Sequence, residues 1–304
     1  MAAFVLTGIA LFVVVDTLAP RLAVNPGALN TPRFPAAGAA LVAVAAAVGV
    51  DLLLLCAFAL HDRAVVRGSY RAEDPGGLVS PYLRPFCWLV ILPSLAGVAI
   101  LASRVASSDG PLPVDQRIDD RVAYRLLPFR PLLGRLVKLG SPTGVAVLCA
   151  LLAAGCLALR RPRAAILAAA GPPLAGTLTE YAFKPLIGRR SGAGFAFPSG
   201  HTTGAVAVAV TIILFLLPAG ALAGLPRLLR LLLAIFAAVL ASALPLGLIA
   251  LHYHYATDVL AGAALAVALI LTSALLLDAA TWRRGGARQR HNPLPPANQQ
   301  SCHE

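Results

Sequence analysis

Seven apolar stretches divide this chain: residues 36–60, 87–103, 143–159, 164–183, 202–217, 231–251 and 259–277. Most approach or reach the roughly 20 residues that an α-helix needs to cross a bilayer. Backbone groups in hydrocarbon must be paired internally, so helices are the expected form. An earlier run, residues 2–15, is shorter, ends at Asp16 and lacks the basic segment of a secretory signal. We read it as an eighth, marginal helix, with a signal-anchor or a mistaken start site as the alternative. The pattern predicts an all-α, polytopic membrane protein with a six-helix core over 87–278. One or two extra N-terminal transmembrane helices would lie within 1–60, followed by a cytoplasmic loop, 61–86. Residues 279–304, rich in Pro, Asn and Gln from about Gly285, would form a disordered basic cytoplasmic tail.

Composition agrees with that reading: 59% of the 304 residues are hydrophobic, 12% are charged, and the mean hydropathy is +0.80. That balance lies far from the soluble one. The formal charge of +12 is almost wholly arginine, since Lys138 and Lys184 are the only lysines. On a membrane protein such an excess reports orientation and anionic headgroups rather than nucleic acid. The bilayer is therefore the expected partner. Arg160, Arg161 and Arg163 share one turn, and Arg227 and Arg230 flank another. Alternating helices put both on one side, together with the loop 61–86 and the tail, so that side is read as cytoplasmic. Residues 107–142 fall on the other side despite Arg117, Arg121, Arg125, Arg130, Arg135 and Lys138. The first three share an i, i+4 face, as on an interfacial helix. The five cysteines show no metal or redox spacing and receive no chemistry.

The same alternation gathers the titratable groups. Lys184, Arg189, Arg190, Ser199, His201, His254 and Asp258 emerge at three helix ends on the extracytoplasmic face. Lys184 and the two guanidiniums suit a phosphate dianion. Ser199 and Gly200 lead into a helix whose first N–H groups and dipole favour an anion. His201 stands where it could protonate a leaving oxygen. Four residues apart, His254 and Asp258 can pair, a carboxylate orienting an imidazole. Two histidines and a carboxylate would complete phosphoryl transfer with no metal and no cofactor. Taken singly, each residue has a plainer reading: headgroup anchors for the cations, a turn and N-cap for "PSG", an interfacial ring for His254. His252 and His254 diverge on a helix, which argues against a zinc pair.

Lys184, the arginine pair, "PSGH" at 198–201 and "HYATD" at 254–258 together resemble the type-2 phosphatidic acid phosphatase superfamily. These are integral-membrane lipid phosphatases related to vanadium haloperoxidases, and the likeness covers about 87–278. The resemblance implies His254 as the nucleophile that becomes phosphohistidine, Asp258 orienting it, and His201 as general acid. Lys184, Arg189, Arg190, Ser199 and Gly200 would hold the phosphate of a lipid substrate, isoprenoid or phosphatidyl. Two departures stand out. The family's K-x6-R-P motif would need arginine at Ser191, and its S-R-x5-H-x3-D motif meets Gly247 and Leu248. A missing ligand would come from elsewhere, such as His252 or the basic 107–142 segment. Arg189 is expected to carry most of the charge neutralisation, because it follows Gly188 in "KPLIGR". A lipid phosphotransferase would need the same site, and a catalytically weak lipid-binding or transport relative would keep the fold.

Overall fold

The computed structural model describes residues 77–291 except 107, 192, 193, 218 and 219. The helices expected within 1–60 and most of the loop 61–86 lie outside the described residues. Helix α1 is Arg84–Val105, followed by α2 (Pro113–Arg125), α3 (Arg130–Leu136) and α4 (Pro142–Ala158). Next come α5 (Pro162–Leu178), α6 (Gly200–Leu216), α7 (Arg227–Ala241), α8 (Ala243–Ala250) and α9 (Ala256–His291). The only strands among the described residues are a two-residue pair, Arg190–Ser191 with Gly194–Phe195. The protein is an all-α, polytopic membrane protein.

Local chemistry sets the helix starts. Prolines open α2, α4 and α5, where the missing N–H costs nothing. Ser141 caps α4 by accepting from the Gly144 N–H at 3.1 Å. Within α5, Pro172 and Pro173 interrupt the ladder, and a π turn, Thr179–Phe183, follows before the single helical turn Lys184–Ile187. Such π turns re-aim side chains and are frequent at functional sites. Here the turn presents Glu180 and Lys184.

Three described helices, Arg84–Val105, Arg227–Ala250 and Ala256–Ala280, are long and apolar enough to span a membrane. Leu127–Gly140 and Pro142–Ala158 also qualify as a pair, bent by 65°. Helix α6 is the centre of the bundle, packing on α4, α5, α7 and α9. It is apolar all round and mostly buried, as a core helix must be. Small residues let its neighbours approach: a Cβ at Gly262 of α9 would stand 2.6 Å from the Ser199 carbonyl. On the outside, Trp88, Leu92, Ile100, Leu151 and Ile166 face outward, where lipid is the natural solvent.

The tail differs from its expectation. Helix α9 continues to His291, so residues 279–291 extend the last span rather than leaving it as coil. Alanine, arginine and glutamine are strong helix formers, and a preformed span spares them the cost of nucleation.

Candidate active site

The N-terminus of α9 exposes N–H groups that lack intrahelical partners. Three carboxylates take them up. Asp258 accepts from the Tyr255 N–H at 3.2 Å, Asp119 from Ala256 at 3.1 Å, and Asp115 from Thr257 at 2.9 Å. Asp115 and Asp119 lie four apart on the buried face of α2, with Val122. The positive end of the helix dipole favours carboxylates at this place. Thus α2 is pinned under α9, and Arg117, Arg121 and Arg125 occupy its exposed side.

Arg189 fills the middle of this cluster. Its guanidinium is fully buried and all five of its N–H groups have acceptors. Nη1 donates to Asp258 Oδ1 at 2.6 Å and to Thr257 Oγ1 at 2.7 Å. Nη2 donates to Asp115 Oδ2 at 2.6 Å and to the Gly110 carbonyl at 3.0 Å, which Nε also reaches at 3.3 Å. The Tyr255 ring stacks on the guanidinium, 4.6 Å from Cζ to centroid. No donor remains for a phosphate. Arg189, expected to dominate phosphate binding, is instead committed to two aspartates. Arg190 is exposed, and its side chain has no partner among the described residues.

The remaining expected residues meet at the same end of the bundle. The His201 and His254 rings lie 6.4 Å apart between centroids, tilted by 51°. His254 Nδ1 stands 3.7 Å from Asp258 Oδ2, an ion-pair distance rather than a hydrogen bond, and is buried with no hydrogen-bond partner. Ser199 is the N-cap of α6: its Oγ accepts from the Thr202 N–H and hydroxyl, leaving its own proton to donate. The Ser199 N–H donates to the Asp258 carbonyl at 3.0 Å, which ties the "PSGH" loop to α9. Lys184 Nζ is paired with Glu180, 2.8 Å from each carboxylate oxygen. Among the described residues, no set of three His, Cys, Asp or Glu is arranged to hold a metal ion.

The departures from the family pattern become physical. Leu248 is buried in the core, beside Gly247, which packs on Val137 and Leu133. Ser191 is exposed, its Oγ 3.3 Å from the Tyr255 hydroxyl. His252, a suggested substitute ligand, has φ +58° and closes α8: its N–H meets the Ile249 carbonyl while the Tyr253 N–H meets Leu248. That is the left-handed ending of a Schellman motif. His252 therefore has a structural role.

Three carboxylates around one guanidinium leave an excess of negative charge. Burial, reinforced by Asp115, pushes the Asp119 carboxyl up to about 7, against the lowering effect of its bond from Ala256. An unfolded aspartate titrates near about 3.9. Between those values the folded chain keeps a proton that the unfolded chain has released. Its contribution to stability is thus full in acid and lost as pH rises through about 7. Asp119→Asn keeps an acceptor for Ala256 and removes the titration. Thermal unfolding in detergent at pH 6 and pH 8 should show a larger loss for wild type than for the variant. Equal losses would remove Asp119 as the titrating group.

No curated protein matches the chain's sequence. A crystal structure is similar to the chain at 21% identity and TM-score 0.46, covering 67% of this chain and 98% of its own. It is titled the first transmembrane PAP2 type phosphatidylglycerolphosphate phosphatase from Bacillus subtilis. The sequence model of the PAP2 superfamily matches residues 136–282, which hold Lys184, "PSGH" and "HYATD" but not Asp115 or Asp119. The match to the PAP2 superfamily, the family that the chain's motifs resemble, thus takes in residues 136–282.

Proposed function

We propose that the protein hydrolyses a lipid phosphate or diphosphate, isoprenoid or phosphatidyl, at the extracytoplasmic membrane surface. The observation that carries this reading is the facing pair His201 and His254, 6.4 Å apart, at the start of two helices beside Lys184. His254 attacks phosphorus through Nε2, the P–O ester bond breaks as the P–N bond forms, and His201 protonates the leaving oxygen. Asp258 lies on the Nδ1 side of His254 and stabilises the ring as it becomes cationic. Water then attacks phosphorus, returns a proton to His201, and the P–N bond breaks to release phosphate. Lys184, the Ser199 hydroxyl and the leading N–H groups of α6 neutralise the transferring group. An acceptor hydroxyl in place of water would make the same site a phosphotransferase. Leu248 in the core and Arg189 held by aspartates favour a slower enzyme than the full motif set would give.

An acid-labile phosphoenzyme should form on the lipid substrate in excess chelator and be absent in His254→Ala. Loss of turnover with chelator, restored by a divalent ion, would contradict this mechanism. General acid catalysis contributes about 10²–10⁴-fold. His201→Ala should therefore slow an alkyl phosphate far more than a nitrophenyl phosphate. Equal losses would take the acid's role from His201.

The orientation rests on Arg160, Arg161, Arg163, Arg227 and Arg230 at the opposite end of the bundle. Gly194 and Gly224 are both exposed, with open space at the Cβ position. In a cysteine-free background, Gly194→Cys should react with an impermeant thiol reagent on intact cells. Gly224→Cys should react only after permeabilisation. The reverse pattern would invert the topology.

A further inference from the structure

Glu180 stands in the π turn four residues before Lys184. On an open helix surface such an i, i+4 pair contributes little. In this pair the Lys184 side chain is 12% exposed and that of Glu180 44%. Glu180 Oε1 lies in the place that a Cβ on Gly200 would take, so the carboxylate rests directly against this glycine. A carboxylate therefore touches the first residue of α6, where leading N–H groups and the helix dipole favour an anion. Glu180 also acts electrostatically on His201, as do Lys184 and His254. One carboxylate thus engages the same cation and the same helix start that the substrate phosphate needs.

We propose that Glu180 is an internal anion that occupies the phosphate seat until substrate displaces it, and that it selects dianionic headgroups. The proposal rests on the phosphatase reading of the same site. A phosphate monoester or diphosphate brings two or more negative charges to Lys184 against the single charge of Glu180. A phosphodiester headgroup brings only one, so it gains no electrostatic advantage over the resident carboxylate. A bilayer presents phosphodiesters in great excess over lipid phosphates. Glu180 keeps them out of the seat and returns to it as product phosphate leaves. Specificity here comes from an element that competes with the wrong ligand.

The test uses the purified full chain in mixed micelles, with vanadate binding followed by calorimetry. Phosphatidylglycerol serves as a phosphodiester inhibitor of lipid phosphate turnover. Glu180→Gln should bind vanadate about tenfold tighter, the weight of one charge-assisted hydrogen bond. The same variant should become sensitive to phosphatidylglycerol where wild type is not. Glu180→Asp, whose shorter side chain withdraws the carboxylate from Gly200, should fall between them and carries the test should the glutamine variant fail to fold. Vanadate affinities of wild type and variants within about twofold overturn the proposal. Weaker binding in Glu180→Gln also overturns it, because Glu180 would then be orienting Lys184 for phosphate. A wild type that turns over no lipid phosphate while Glu180→Gln still binds vanadate more tightly sinks the phosphatase reading and leaves the internal anion standing.

Discussion

The buried contact of Arg189 with Asp115 and Asp258 is the constraint on which the site depends. Three carboxylates would not gather at one helix start without a cation among them. The guanidinium suits this place because its planar fork reaches both aspartates at 2.6 Å while Tyr255 covers its face. Removing one partner of such a buried set costs about 3–5 kcal/mol, because the others are left uncompensated. The contact also fixes positions. It holds α2 under α9, sets Asp258 beside His254, and carries the strand segment at Arg190 against Ser108 through backbone hydrogen bonds. Lys184, at the end of the π turn, and the "PSGH" loop precede and follow that segment.

Much of this was readable from the chain. Apolar runs at 143–159, 202–217 and 259–277 lie close to α4, α6 and the spanning part of α9. The alternation of helices gathered Lys184, Ser199, His201, His254 and Asp258 at one end, where the structure brings them together. Arg189 was legible as a site residue but not in its role. A guanidinium beside a motif lysine reads as a phosphate ligand unless its acceptors are known, and those acceptors, Gly110 and Asp115 before it and Thr257 and Asp258 after it, lie 68 to 79 residues away.

Asp115 and Asp119 were missed for a related reason. In a helix carrying Arg117, Arg121 and Arg125, acidic residues four apart resemble a solvated face. The arginines mark the exposed side, and the complementary carboxylate side is the buried one. The signal was available in the i, i+4 spacing of Asp115, Asp119 and their neighbour Val122, which mark one face. Glu180 was hidden by its ordinary spacing from Lys184, since only the fold brings it onto Gly200. His252 has a backbone role that its spacing did not reveal. A histidine near His254 suggested ligand chemistry, while its backbone conformation ends a helix.

The most direct test of the central contact is a double-mutant cycle on unfolding stability in micelles, using Asp115→Asn, Arg189→Gln and the pair. Vanadate affinity would be measured on the same proteins. Residues in one buried network couple by about 0.5–3 kcal/mol. The account predicts a coupling in the upper part of that range, with each single variant less stable than wild type. Additive stabilities, together with a vanadate affinity that falls in Arg189→Gln but not in Asp115→Asn, would contradict it and return Arg189 to the phosphate.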